Sequence, residues 1–296
     1  MVRRTGFITI IVCLFICLCI SVGSTGATEP TNKETRELIS LVKEASFFVE
    51  KQGEAAFQEF KKKNSKWLHG DTYIFIIDTK GFVYINPQRP ELEGANHINL
   101  KDLIGKPFIQ SFIKKVTGGS KTEGWVHYVW YKPGEINPMW KTSFVKYVKS
   151  PSGKEYIVGS GLYNMKMERE FVIDVVDDAV NLIQKKGRDA FKELKDPLGD
   201  YNYLTTYIFV LDAKGNNLIN PAFPGFEGQN VLNLADSHGK YFIKEIITSL
   251  ENSDSVWIDY MWPKPRQMTP SKKSAYVKKL VVDNNTLYVA SGIYFD

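Results

Sequence analysis

YIFIIDTKG, residues 73–81, decides how this chain is built, because it returns as YIFVLDAKG at 207–215. Each copy is a run of β-branched and aromatic residues closed by a Lys-Gly turn. FVYIN (82–86) follows the first copy directly, so the pattern predicts a β-hairpin. The offset of 134 that carries 73 to 207 also carries INP at 85–87 onto INP at 219–221, and EGANHINL (93–100) onto EGQNVLNL (227–234). It carries Asp102, Gly105 and Lys106 onto Asp236, Gly239 and Lys240, and GEAAFQEFK (53–61) onto GRDAFKELK (187–195). Further along, the offset slips to 132, where Trp125, Tyr128, Trp130 and Lys132 meet Trp257, Tyr260, Trp262 and Lys264. It slips again to 131, where GSGLY (159–163) meets ASGIY (290–294). A period this long means a duplicated domain and not a solenoid.

One copy gives the element order. Leu38, Leu41, Val42, Ala45, Phe48 and Val49 recur at helical spacing and predict a long amphipathic helix. Phe57 and Phe60 extend it beyond Gly53, where a kink or an interruption is expected. After the hairpin, KDLIGKPFIQSFIKKVTGG predicts a short helix that starts at Asp102 or Pro107 and stops at Gly118-Gly119. Strands are expected at 123–131, 140–149 and 154–163. The fold class is α+β: two tandem modules, each a long N-terminal helix packed on a five-stranded antiparallel sheet. The loops and short helix of 86–122 cover the other face. The module boundaries are 34–164 and 165–296.

Residues 1–27 stand apart. Arg3 and Arg4 precede an apolar run from Phe7 to Val22, and small residues lead to Ala27, as in a secretory signal peptide. The run is long for that role, so an uncleaved N-terminal membrane anchor stays open. Either way the remainder is exported, periplasmic or extracellular. Cys13, Cys17 and Cys19 all lie in this segment, so the exported part has no disulfide, thiol nucleophile or Cys-based metal site. Hydrophobic residues make up 43% of the chain and charged residues 24%, enough for a packed core. Removing Arg3 and Arg4 lowers the net charge from +5 to +3, and the basic runs alternate with acids, which argues against nucleic acid as a partner.

In WVHYVWY, alternation puts Trp125, His127, Val129 and Tyr131 on one face and Val126, Tyr128 and Trp130 on the other. Tyr260 and Trp262 share a face in the second copy, opposed by Trp257, Asp259 and Met261. Tyr and Trp pair an apolar body with a polar handle. Such rings side by side on a sheet can wall a pocket for a small polar ligand, or they can be core residues bonded to backbone. Lys146 and Lys278, in the next strand, offer an ammonium for an anionic ligand or are exposed strand lysines. Asn86 and Asn220 precede prolines and read as turn-formers. Ser160-Gly161 and Ser291-Gly292 mark a bulge or a close backbone approach. The four histidines, His69, His97, His127 and His238, occupy no repeated position and have no metal-ligand spacing, and no nucleophile or phosphate-loop motif occurs. No catalytic residue, metal or cofactor is expected.

The long helix, YIFIIDTKGFVYINP, GWVHYVWYKPGE, KTSFVKYVK and YIVGSGLY, in this order in both copies, resemble the Cache family of PAS-like extracellular sensory domains. The likeness is to double Cache arrangements of two single-Cache units and covers about 34 to 296. It implies a non-catalytic sensory module for an organic acid, amino acid or amine. It also implies ligand contacts at Trp125, Tyr128, Trp130, Lys132 and Lys146, with Trp257, Tyr260, Trp262, Lys264 and Lys278 in the second copy. Where such domains often have a tyrosine after a Lys-x-Ser, this chain has Phe144, which removes a hydroxyl from the expected first pocket. Cache domains usually precede a kinase, cyclase or chemotaxis module across a membrane. With SGIYFD at its end, this chain is expected to signal through a membrane-bound kinase or chemoreceptor partner, the alternative being a secreted solute-binding protein. Pairing of helix faces leaves a homodimer open.

Overall fold

The computed structural model describes residues 32–295, and the apolar leader with its three cysteines lies outside them. No helix among the described residues is long and apolar enough to cross a membrane.

The first module opens with α1 (Lys33–Gln52), whose Leu38, Val42, Ala45 and Val49 form one buried face. Gly53 adopts φ 59° and ends the helix. Only glycine takes that conformation without a Cβ penalty, so the expected interruption falls there. A 3-10 segment, Gly53–Lys61, brings Phe57 and Phe60 into the same core. A two-residue pair follows, β1 (Leu68–His69) with β2 (Thr72–Tyr73). Next come β3 (Phe75–Asp78), β4 (Val83–Ile85), α2 (Phe108–Thr117), β5 (Glu123–Tyr131), β6 (Pro138–Lys149) and β7 (Glu155–Tyr163). The sheet is antiparallel in the order β4-β3-β7-β6-β5.

The second module repeats this plan. It has α3 (Arg169–Lys186), α4 (Ala190–Leu194), β8 (Phe209–Asp212), β9 (Asn217–Ile219), α5 (Phe242–Ser249), β10 (Ser255–Pro263), β11 (Pro270–Val282) and β12 (Asn285–Phe295). Its sheet runs β9-β8-β12-β11-β10. Gly187 ends α3 at φ 56°, as Gly53 ends α1.

The hydrophobic runs lack clean alternation because both faces of each sheet are covered. Ile74 and Ile76 pack towards α1, while Phe75 and Ile77 pack towards α2. The pattern recurs in Ile208 and Val210 against Phe209 and Leu211. The short helix starts after Pro107 and not at Asp102. Asp102 instead fastens the covering loop to the edge strand: its carboxylate accepts from Lys106 N and, at 2.8 Å, from Val129 N, and Lys106 Nζ donates to His127 O. Asp236 and Lys240 do the same to Met261 N and Asp259 O. Each outer strand would otherwise present open hydrogen-bonding groups.

Candidate functional site

Each sheet carries a small aromatic hollow on the face opposite its long helix. In the first module the floor is Tyr73 and Phe75 with Tyr128 and Trp130 of β5, and the roof is Leu92, Leu100, Phe108, Ile109 and Phe112. Tyr128 lies flat on Phe108, with ring centres 4.7 Å apart and planes 2° from parallel. The second module matches it with Tyr207, Phe209, Tyr260 and Trp262, and Tyr260 stacks on Phe242 at 4.1 Å. Each hollow encloses about 20 Å³, room for roughly one water. A larger guest requires the roof to lift. Outside the first hollow an open cleft of about 510 Å³ shares Tyr73 and Trp130 with it and is rimmed by Arg89 and Lys132. Arg89 lies over the Trp130 ring at 5.5 Å.

Beneath each floor lies a charge. Lys141 on β6 is 0% exposed, and its Nζ donates to Tyr73 Oη at 2.6 Å. The rings of Tyr73 and Tyr163 approach the ammonium at 4.0 and 5.0 Å. Lys273 on β11 repeats the arrangement: 0% exposed, 2.8 Å from Tyr207 Oη, with the rings of Tyr207 and Tyr294 at 4.3 and 5.1 Å. Strand register explains the enclosure, since Lys141 sits between Tyr128 and Tyr163 and Lys273 between Tyr260 and Tyr294. Neither lysine has an ion-pair partner among the described residues. Burial pushes both ammonium groups down to about 7, with Asp71 weakly opposing at Lys141. Burial also pushes Tyr73 up to about 12.

The Ser-Gly pairs complete the unit. A Cβ on Gly161 would run into Ser143 Oγ and, at 2.8 Å, into Lys141 Cε and Thr142 O, and one on Gly292 would run into Lys273 Cε and, at 2.9 Å, Ser274 O. The glycines therefore leave space that the lysine stems share with the neighbouring strand, and in the first module with Ser143. Ser160 Oγ donates to Tyr73 O, and Ser291 Oγ to Tyr207 O, each at 2.8 Å, fixing the tyrosine that receives the ammonium. Lys141, Lys273, Tyr73 and Tyr207 were not singled out from sequence.

The expected ligand residues divide by face. Tyr128 and Trp130 meet in the first hollow, and Tyr260 and Trp262 in the second. Lys132 rims the outer cleft, paired with Asp71 at 2.9 Å, and Lys264 follows β10 as its counterpart. Trp125, Lys146, Trp257 and Lys278 are not brought to the hollows. Trp125 packs between Phe144 and Phe171 and donates from Nε1 to Glu170. Lys146 pairs with Glu123, which also takes Lys43 of α1. Trp257 lies against Tyr276 and Arg169, and Lys278 against Asp177 of α3. Phe144 is also on the helix face, so its missing hydroxyl does not alter the hollow; the polar neighbour there is Ser143, 3.1 Å from Tyr128 Oη. Asn86 and Asn220 are turn-formers, each accepting from the N–H three residues on, and both also line their hollows.

A seam of charge joins the modules on the outer side of α2. Lys115 and Lys121 both bond Asp174 and Asp178 of α3. Lys106 reaches Asp200 at 3.0 Å, and Lys114 pairs with Glu193. His127 stacks on Tyr203 at 3.9 Å, and burial, with Lys106 and Lys115 nearby, holds it neutral, well below the usual histidine range. No group of His, Cys, Asp and Glu among the described residues could hold a metal ion.

Two curated relatives share part of this sequence. The methyl-accepting chemotaxis protein McpP of Pseudomonas putida is 29% identical over 107 residues, 36% of this chain. The sensor histidine kinase MctS of Rhizobium johnstonii is 32% identical over 90 residues, 30% of this chain. The matched region spans 19% of the length of each. Among solved structures, a Cache chemosensory domain studied for carboxylic acid recognition is 29% identical over 45% of this chain and 94% of its own, with TM-score 0.37. The periplasmic sensory domain of the Campylobacter jejuni chemoreceptor Tlp1 is 11% identical, covering 87% of both chains, with TM-score 0.30. The Cache domain family model matches residues 43–186 and again 183–296. With nearly all of both modules matched, the chain belongs to the Cache domain family.

Proposed function

We propose that this chain is an extracytoplasmic, non-catalytic sensory protein that binds a small carboxylate on its sheets and reports occupancy through a membrane-bound kinase or chemoreceptor. The observation that carries the ligand class is the buried lysine–tyrosine pair of each module, an ammonium site without a counter-ion. A buried cation without an anion is costly, so a guest carboxylate gains what the fold lacks, whereas an amine would add a second cation. The partner is supported by the relatives, a chemotaxis protein and a sensor kinase. The reading takes 34–164 and 165–296 as the two modules and 1–27 as an export signal or anchor. A carboxylate that binds only the open-roofed state would shift the roof and, through α2, the seam to α3.

Titration calorimetry with acetate, propionate and ethylamine tests this. Binding of an acid but not of ethylamine, lost when Lys141→Met and Lys273→Met are combined, is the expected result. Binding of ethylamine alone, or of neither class, overturns it.

A further inference from the structure

The two hollows share a frame, and among the corresponding positions in or beside them that differ, two change its polarity. At the offset of 134, Val83 becomes Asn217 and Arg89 becomes Phe223. Asn217, on β9, is 4% exposed and lines the second hollow, and its Oδ1 has no hydrogen-bond partner. Buried amide oxygens in native folds are nearly always bonded, and an exception marks a missing donor. Val83 makes no such demand in the first hollow. Phe223 places its ring 5.6 Å from Trp262 and 5.9 Å from Tyr207, where the first module holds a guanidinium over Trp130. The second hollow thus combines one buried cation, a ring in place of the arginine, and an amide acceptor awaiting a donor.

We propose that the second hollow takes a short carboxylate bearing a hydroxyl or ammonium donor, while the first takes a carboxylate with a plain alkyl tail. This rests on the carboxylate reading above. Lys273 faces the carboxylate, and Asn217 accepts from the substituent. An alkyl acid in the second hollow leaves Asn217 unpaired, and that discriminates by roughly 10- to 100-fold.

Propionate, L-lactate and L-alanine share a three-carbon frame and differ only in the substituent, so they are the probes. Lys141→Met silences the first hollow of the full chain, and thermal melting checks that each variant folds. Lactate or alanine should bind this variant at least about tenfold more tightly than propionate. Adding Asn217→Val, the residue the first module already uses, should erase that preference. In the Lys273→Met chain the order should reverse, with propionate the tighter ligand. The proposal is overturned if the Lys141→Met chain shows no preference, if Asn217→Val leaves the preference intact, or if Lys141→Met abolishes all binding. In those cases acid binding by the wild-type chain keeps the broader reading alive. Absence of binding by any of the three acids to the wild-type chain removes both.

Discussion

Replacing Lys141 by Met should stabilise the protein, and only on the acid side of pH 10. The ammonium is fully buried, and burial lowers it from 10.5 to about 7. Between those values the unfolded chain binds a proton that the native state does not, so stability rises with pH by about 1.4 kcal/mol per pH unit. The full benefit is present above 10.5 and is lost as pH falls towards 7, which leaves a deficit of about 5 kcal/mol at and below neutrality. Methionine of similar length removes the deficit but forfeits the bond to Tyr73 Oη, about 1–2 kcal/mol. The net gain at pH 7 is about 3–4 kcal/mol and vanishes near pH 10. Lys273 adds an equal slope, so the wild-type chain should gain about 2–3 kcal/mol per unit between pH 7.5 and about 9. Carboxylates are ionised throughout that window, and the buried tyrosines, Tyr73 among them, oppose from about pH 9 upward, where tyrosines of the unfolded chain begin to ionise. Urea unfolding followed by tryptophan fluorescence measures it. Each single Met variant should halve the slope and the double variant should flatten it. A flat wild-type profile, or Met variants less stable than wild type at pH 7, refutes the claim that these lysines are held neutral by burial.

Acid binding should be linked to protons through the same groups. A bound carboxylate restores the charged form of Lys141, so at pH 8 binding should take up close to one proton, read as a dependence of calorimetric heat on buffer ionisation enthalpy. Affinity should fall about tenfold per pH unit from above 7 to 10. At the seam, burial alone would raise Asp174, but Lys115 and Lys121 hold it far below the usual carboxylate range. Asp174→Asn should destabilise the chain by about 3–5 kcal/mol at pH 7. In the wild type that contribution is present above the unfolded carboxylate value near 4 and lost as pH falls below it, so the gap between the two chains should narrow in acid unfolding. Gly292→Ala should remove about 1–3 kcal/mol, because its methyl runs first into the Lys273 stem and then into Ser274 O. Part of that loss should be recovered when Lys273→Ala has cleared the stem, which a double-mutant cycle of melting measurements would show.

Much of this architecture is legible in the chain because the duplication supplies its own control. A feature that appears at 73–87 and again at 207–221 can be read against its copy, and the hairpin, the stop at Gly53 and the faces of Tyr128 and Trp130 follow from period and turn chemistry alone. The buried lysines were not legible in that way. Lys141 and Lys146 lie on one strand five residues apart, so alternation assigns them to opposite faces without saying which face is closed. The general rule that lysines stay in water then favours neither as a buried residue. The deciding signal is across the sheet: a glycine in the neighbouring strand, preceded by serine, in both copies. Glycine in the middle of a sheet is unfavourable, and here a lysine stem, with the neighbouring strand's own atoms, takes the place of its side chain in both copies.

The closure of the hollows was not legible either, for a different reason. It depends on how flat Tyr128 lies on Phe108 and Tyr260 on Phe242, which spacing does not encode. Yet closure and the buried charge are physically one arrangement. Stacked rings exclude water from the floor, and exclusion of water is what lowers the lysines. Lifting the roof for a guest would wet or pair the ammonium and so return several kcal/mol to it. The free energy that a carboxylate can release by entering is therefore set by how well the empty state keeps water out. A variant with a looser roof, such as Phe108→Ala, should raise the Lys141 proton affinity and weaken the pH slope before it changes any residue that touches the ligand's charge.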